Sequence, residues 1–426
     1  MDLEPVKRDR EFRMLWLGQL VNGLGRQVTV VALPFELWQL THSSLSIGLL
    51  AIVQLVPILI FSLGGGAVAD AVDRRRLLIV TQVLLAVTSL CLALLAIHPN
   101  PPIWALYVVA FMAAGIGAVD MPARSSALPR LVPRQRLPAA LAVNWLSGQT
   151  VAVAGPVVAG GIIAISGVAT AFAFDVVTFV ASLVALLLIA PIPPSPGAAR
   201  PGLRSIAEGL RFAHDHRIIG ATFAIDLDAM IFGMPSALFP QLALTVFNAG
   251  AAGYGLLAAA PALGAFLGAV FSGWVERIRR PGRGVIVAVA GWGAAIVAFG
   301  LLTISFPLAL LCLAAAGAAD VISAVLRASI LQLATPDHLR GRLSSIHALV
   351  VTSGPRVGDA EAAAVAAVAG PQFSVVSGGV MCLAGLLVVV RLFPQLLSYE
   401  HGQSEPHVRE PRMDLGEQRS GLDSTD

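Results

Sequence analysis

Charge is scarce in this sequence. Asp, Glu, Lys and Arg make up 12% of its 426 residues, against roughly 25% in an ordinary water-soluble domain. With 57% hydrophobic residues and a mean hydropathy of +0.81, there is too little polar side chain to cover a water-facing surface, which excludes a soluble globular fold. Lysine is almost missing: all 28 basic residues except Lys7 are arginine. Cys91, Cys312 and Cys382 are the only cysteines, all inside apolar runs and without metal or disulfide spacing. Aromatic residues, at 6%, are too few to define an aromatic drug pocket. Of eight histidines only His347 falls in an apolar run, and HExxH, GxSxG and GxxxxGK[ST] are all absent. An intramembrane enzyme therefore becomes a remote alternative, and ATP-driven pumping has no nucleotide site.

What is present is a series of long apolar runs. A helix needs about 20 mostly apolar residues to cross the hydrocarbon core. Such runs are predicted at Met14–Gln39, Ile47–Ala69, Leu77–Ile97, Ile103–Pro122, Ala139–Ile165 and Val168–Ala190, then at Ile219–Leu244, Gly253–Val275, Val285–Ile304, Pro307–Ile330, Leu343–Ala369 and Ser374–Pro394. They are continuously apolar, without the ten-residue alternation of a barrel, so intra-segment hydrogen bonds must satisfy the backbone. The predicted fold class is an all-α membrane protein of twelve transmembrane helices in two six-helix bundles. Basic residues occupy every second loop, at 7–13, 74–76, 124–136, 200–217, 277–283 and 340–342, and the alternate loops THSSLS, HPNPP and AGPQ carry none. The positive-inside rule then puts both termini in the cytoplasm, which requires an even number of spans. The pI near 9 reflects this anchoring, so no nucleic-acid partner is expected. The first run is too long for a signal-peptide core and stays as a helix.

The chain repeats itself. Arg124 precedes Pro133 by nine residues, and Arg327 precedes Pro336 by nine. Eleven residues beyond each proline stand Asn144 and His347, and a Gly-Pro pair follows in each copy, Gly155-Pro156 and Gly354-Pro355. From Arg124 to Arg327 the offset is 203 residues, and the first and seventh runs start about 205 apart. This gives a cytoplasmic N-terminus at 1–13, a first bundle at 14–190, and a Pro-rich, basic cytoplasmic linker at 191–218. A second bundle follows at 219–395, and then a polar tail at 396–426 predicted to be disordered. Parallel six-helix repeats are the arrangement of major facilitator transporters, which hold substrate between the halves.

Local motifs carry the resemblance further. GGGAVADAVDRRRLL resembles the superfamily's signature between its second and third helices, with Gly66, Asp70, Arg74 and Arg75 at the matching positions and Asp73 where the family usually has Gly. The resemblance implies close helix packing and a charged cytoplasmic gate; simple loop anchoring by positive charge is the alternative. A degraded second copy is Gly273, Glu276 and Arg277. AVAGPVVAGGII resembles the helix-bend motif of drug antiporters at Gly155, Pro156 and Gly160, although small-residue helix packing would also account for it. GLLAAAPALGAFLGAVFSGWVERIRR and AAGAADVISAVLRASILQLATPDHLRGRLSSIHALVVTSGPRVGDAEAAAVAAVAGP, together with the stretch from the fourth to the fifth span, are similar to the enterobactin-exporter branch of the major facilitators, and the resemblance covers nearly the whole chain up to Arg391. That resemblance implies proton-driven export of a siderophore or similar bulky amphiphile, with a broad multidrug efflux pump as the alternative and a non-transporting receptor as a remote one. It also implies no cofactor beyond a proton gradient, a small-molecule substrate, the bilayer as surroundings, a monomer, and the bacterial inner membrane as location.

Ionisable residues within the bilayer are costly and mark function by default. Arg26, Asp226, Asp228, Arg356, Asp359 and Glu361 stand well inside their runs and are the substrate or proton-coupling candidates. Asp226 and Asp228 lie about 200° apart around a helix, so one cavity receives both only if the helix is broken. Arg356 and Asp359, at i,i+3, can neutralise one another. Arg26 has no acid within one turn of its own helix, so its partner must come from another helix or from an anionic substrate such as a carboxylate or catecholate. Proton coupling needs a carboxylate that is desolvated yet able to release its proton, and Asp226, Asp228 and Glu361 meet that description best. Asp120 with Arg124, and Asp320 with Arg327, are spaced for pairing near the basic ends of the fourth and tenth runs, a gate or packing role. Asn22, Gln27, Gln54, Asn144, Gln149 and Gln241 are further polar candidates for a cavity or for helix–helix hydrogen bonds.

Overall fold

A computed structural model describes residues 4–192, 211–212, 216–273, 278–335 and 337–399, with the side chains of 62–71, 337, 338, 340 and 342 outside that description. The predicted linker helix, most of the tail, and the Glu276–Arg277 copy of the gate motif fall outside the described residues. Among the described residues the regular structure is helical and there is no strand.

In order, the long helices are α1 (Arg10–Thr41), α2 (Ser44–Ala71), α3 (Arg74–Ile97) and α4 (Ile103–Ala127). A continuous run, Leu137–Leu187, is broken at Gly167 (φ 83°, ψ 173°) into α5 (137–166) and α6 (168–187). There follow α7 (Arg217–Phe232), α8 (Gly250–Val270), α9 (Pro281–Leu301), α10 (Phe306–Ala334), α11 (Asp337–Ala369) and α12 (Pro371–Leu392). Gly167 makes the turn between α5 and α6 because its backbone angle suits only a residue without Cβ. Prolines in the first turns of α9, α10 and α12 start helices where no backbone donor is lost.

Among the described residues, nine helical stretches are long and apolar enough to cross a membrane. The difference from the predicted twelve has a physical cause. One stretch, Arg134–Leu187, has 54 residues and holds the two crossings divided at Gly167. Two more helices of membrane length, α1 with 32 residues and α11 with 33, are less apolar because α1 carries Arg26 and Glu36 and α11 carries Arg356, Asp359 and Glu361. Those two charged helices flank the site described below.

The seventh run is also not one helix. α7 stops at Phe232, and after Gly233, Met234 and Pro235 the chain continues as a 3-10 turn (Ser236–Leu238), a helical turn (Phe239–Gln241) and a π turn (Leu242–Val246). Pro235 and Pro240 remove backbone donors, and each disfavours helix in the residue before it. Such irregular backbone is tolerated at membrane depth where it is enclosed by protein or lines a cavity.

The halves meet at α5 with α8 and at α2 with α11. At the first crossing a Cβ on Gly160 would stand 2.7 Å from the Ala251 carbonyl oxygen and 2.9 Å from Gly255 Cα, so only glycine permits this approach. Ser44 Oγ donates to Gln241 Oε1 at 2.6 Å, and the Phe35 and Tyr254 rings stack with centroids 5.8 Å apart. Gly48 packs on Ala363. All four contacts lie toward the end of the molecule whose loops lack basic residues, and they close it.

Candidate functional site

Between the halves lies a cavity of about 1310 Å³, lined by α1 to α6 from one side and by α8 to α11 and the break after α7 from the other. Met121 and Ser125 of α4, with Gly341 and Ser345 of α11, carry its lining to the basic end. Most of its wall is apolar, with five acidic or arginine residues among the lining side chains: Arg26, Asp175, Asp320, Arg356 and Asp359.

The break after α7 builds one wall. Its unpaired Ala237 N–H donates to Asp359 Oδ1 at 2.8 Å, and Ser236 Oγ donates to the same oxygen at 2.5 Å. Asp359 therefore serves one backbone donor and one hydroxyl just beyond the break at Pro235, while Arg356 donates to Gln54 of α2. The helical spacing of Arg356 and Asp359 allowed a direct ion pair, but no such bond forms because each side chain finds a partner on a different element. Across the cavity, the Arg26 side chain is exposed to the interior. Arg26 and Arg356 are near enough to act on one another's charge.

Asp175 of α6 was missed in the sequence reading. It is 1% exposed and accepts from Thr29 Oγ1 at 2.6 Å, Ser89 Oγ at 2.7 Å and Thr178 Oγ1 at 3.3 Å. It is also close enough to Arg26 to feel its charge. The signal was available, since Asp175 is an ionisable residue inside a predicted span like the six candidates above.

Asp226 does not line the large cavity. It sits behind it, 1% exposed, with Oδ1 2.8 Å from Arg327 of α10 and Oδ2 3.7 Å from His347 Nδ1 of α11. Arg327 also donates to Ser323 Oγ at 2.8 Å and stands 3.9 Å from Asp320, which reaches the cavity. Asp228 points the other way, against Gly385 of α12, and its Oδ2 has no hydrogen-bond partner. One cavity does not receive both acids, because α7 stays helical between them and breaks only after Phe232. Glu361 is half-buried and outside the cavity lining.

The gate residues fall into distinct roles. Gly66 and Asp70 lie in the last turns of α2, with side chains outside the described residues. Arg74 is 3% exposed and its Nε donates to Ser126 Oγ of α4 at 3.0 Å. Arg75 donates to the carbonyls of Leu186 and Leu187 at 3.0 and 2.8 Å, a cation on the free carbonyls of a helix C-terminus. Asp73, the departure from the family pattern, accepts from Arg76 N at 2.9 Å and caps α3. Arg124 pairs with Asp120 at 2.5 Å, and Thr81 Oγ1 donates to the same carboxylate at 2.6 Å.

The helix continues through Gly155, Pro156 and Gly160, which lie along the crossing of α5 with α1 and α8. Gly155 packs on Gln27, and Pro156 and Gly160 pack on Gly255. Of the other polar candidates, Gln27 and Gln54 line the cavity, Asn22 donates to Gln82 Oε1 at 3.2 Å, and Gln241 accepts from Ser44. Asn144 and Gln149 lie outside the lining.

Comparison with known proteins agrees with this architecture. Curated relatives include Enterobactin exporter EntS of Citrobacter koseri, 29% identical over 396 residues, covering 92% of this chain and 94% of that protein. Enterobactin exporter EntS of Escherichia coli strain K12 is 28% identical over 410 residues, with 95% and 96% covered. Among solved structures, a bacterial homologue of the iron transporter ferroportin in its inward-facing state matches with a TM-score of 0.69 at 17% identity, covering 92% of this chain and 99% of the other. A POT family transporter in complex with 5-aminolevulinic acid matches with a TM-score of 0.73 at 13% identity, covering 91% and 97%. These structural likenesses show the fold, that of the major facilitators. The profile of the family described as transmembrane secretion effector matches residues 2–422, and the chain belongs to that family.

Proposed function

We propose that this protein exports a siderophore or a similarly bulky amphiphile across the bacterial inner membrane by proton-coupled alternating access. The observation that carries the reading is the cavity of about 1310 Å³ between the halves, apolar over most of its wall, with charges from both halves, and closed at one end. Curated relatives matched over more than nine-tenths of the chain carry the name enterobactin exporter, which supports the substrate class. Both termini lie in the cytoplasm on this reading, so the basic end faces the cytoplasm and the cavity opens inward. The monomer, with residues 14–190 and 219–395 as its moving bundles and 191–218 as the link, is the working unit.

Coupling is assigned to the second half. Protonation of Asp226 would weaken its hold on Arg327 and His347, which are carried by α10 and α11, and so loosen three helices at once. Asp228 is the second coupling candidate, as an acid whose Oδ2 lacks a donor. Glu361 ranks behind both because it meets neither the cavity nor a cation. Asp226→Asn and Asp228→Asn, assayed separately in vesicles with an imposed proton gradient, are expected to differ, with the stronger loss in the coupling residue. Full activity in both would remove these residues from coupling.

Substrate is tested in a deletion strain by measuring siderophore in the medium and susceptibility to amphiphilic drugs. Secreted siderophore is expected to fall while drug susceptibility stays at the parental level. Unchanged secretion with increased susceptibility would replace the siderophore reading by multidrug efflux.

A further inference from the structure

Resting on the transport reading above, we propose that Arg26 and Arg356 together form a two-arginine seat for an oxyanion of the carboxylate class carried by the exported molecule. The two residues come from opposite halves, α1 and α11, and both line the cavity.

Two of the three acids in the cavity wall are already served by hydrogen-bond donors, and the third stands within ion-pair range of a cation. Asp175 takes three hydroxyl donors, Asp359 takes a hydroxyl and a backbone N–H, and Asp320 stands 3.9 Å from Arg327. The arginines are not matched in the same way. Arg356 donates to a neutral amide, Gln54. Arg26 has no hydrogen-bonded or ion-paired acid among the described residues, and its head group is exposed to the cavity. A guanidinium presents five donors in a planar fork whose best complement is a bidentate oxyanion. The surplus of the cavity is therefore cationic donors, although its acids outnumber its arginines.

The pair also explains how occupancy would act on the halves. With the seat empty, Arg26 and Arg356 repel across the cavity, a repulsion only partly offset by Asp175, which feels Arg26, and Asp359, which feels Arg356. One oxyanion held by both replaces that repulsion with attraction to each half. A ligand that binds the closed arrangement better than the open one shifts the equilibrium toward it, so the loaded carrier is favoured to close at the basic end. A neutral molecule of the same shape lacks this effect.

The test uses purified full-length protein in lipid nanodiscs, titrated calorimetrically with 2-naphthoate and with its neutral counterpart 2-naphthamide. Wild type is expected to bind the carboxylate at least about tenfold tighter than the amide, the range of charge-assisted hydrogen bonds. Arg26→Gln and Arg356→Gln should each remove most of that preference while leaving the affinity for the amide as it was. The amide affinity thus reports folding. Arg26→Lys and Arg356→Lys keep charge but not the fork and should retain part of the preference. Arg391→Gln, at the exposed end of α12, should retain all of it.

A wild type without preference, or glutamine variants that keep it, would overturn the seat. So would a loss of carboxylate and amide binding in equal measure in both the glutamine and lysine variants. The siderophore reading fails separately: a deletion strain that secretes siderophore normally, with an arginine-dependent carboxylate preference in the purified protein, removes the siderophore and keeps the seat.

Discussion

In the first half, the arginine that ends the fourth span takes its carboxylate from its own helix: Arg124 pairs with Asp120 at 2.5 Å. In the second half the matching arginine, Arg327, finds Ser323 at that position, 203 residues on from Asp120, and reaches across to Asp226 of α7 at 2.8 Å. A second displacement accompanies the first. Where α1 meets α6, the acid is Asp175 on α6 and the space for it is Gly25 on α1; where α7 meets α12, the acid is Asp228 on α7 and the space is Gly385 on α12. The packing frame is common to both halves, since Gly155 rests on Gln27 and Gly358, 203 residues on, rests on the backbone of Met230, itself 203 residues on from Gln27. Duplication kept the helix crossings and moved the acids. The first half holds its acids with local hydroxyls and an in-helix arginine, and the second uses one acid to join three helices.

The sharpest way to break this comparison is to delete the two arginines. Arg327→Gln leaves Asp226 as an uncompensated buried charge and should cost about 3–5 kcal/mol, read as a lowered unfolding temperature in detergent. The double variant with Asp226→Asn should recover most of it. Arg124→Gln should cost less than half as much, because Asp120 retains Thr81 and the pair is more exposed; an equal cost would mean that the two halves hold their acids alike. Next in size are the two displaced acids. Asp175→Asn weakens three hydrogen bonds to a charged acceptor and should destabilise by about 1.5–3 kcal/mol. Asp228→Asn, with an oxygen that nothing serves, should stay within about 1 kcal/mol of wild type. At the closed end, Gly160→Leu forces α5 away from α8 at a cost of about 1–3 kcal/mol. It should also lower export by opening the seal, measured as transport rate in vesicles. The smallest effect is expected for Asp73→Ala, which removes the α3 cap and should cost about 1 kcal/mol without altering export, since this residue serves the helix rather than the cavity.

Much of the fold was legible because its signals are local. Apolar runs marked the spans, arginine-bearing loops alternated with neutral ones, and Gly-Pro and Arg-Pro spacings exposed the duplication. The run at 219–244 read as one helix because its apolarity is unbroken, although Gly233, Pro235 and Pro240 together were a usable signal for the break. At the site, Arg26, Arg356 and Asp359 could be singled out as costly charges, and the structure brings all three to one cavity. The same rule applied to Asp175 and was not carried through. Asp226 and Asp228 were separated correctly by helical angle, but nothing in their spacing told that one would meet Arg327, a hundred residues away, and the other a glycine on the last helix.

The sequence alone determined that this chain lives in a bilayer, as helices, in two related halves, because the cost of burying polar groups in hydrocarbon is set residue by residue along the chain. The tertiary structure decided which charges face the cavity, which neutralise one another, and that Asp359 caps a broken helix instead of pairing with Arg356. Those outcomes depend on how each helix is rotated and on which side chain the neighbouring helix offers, and neither is encoded in spacing along a single segment.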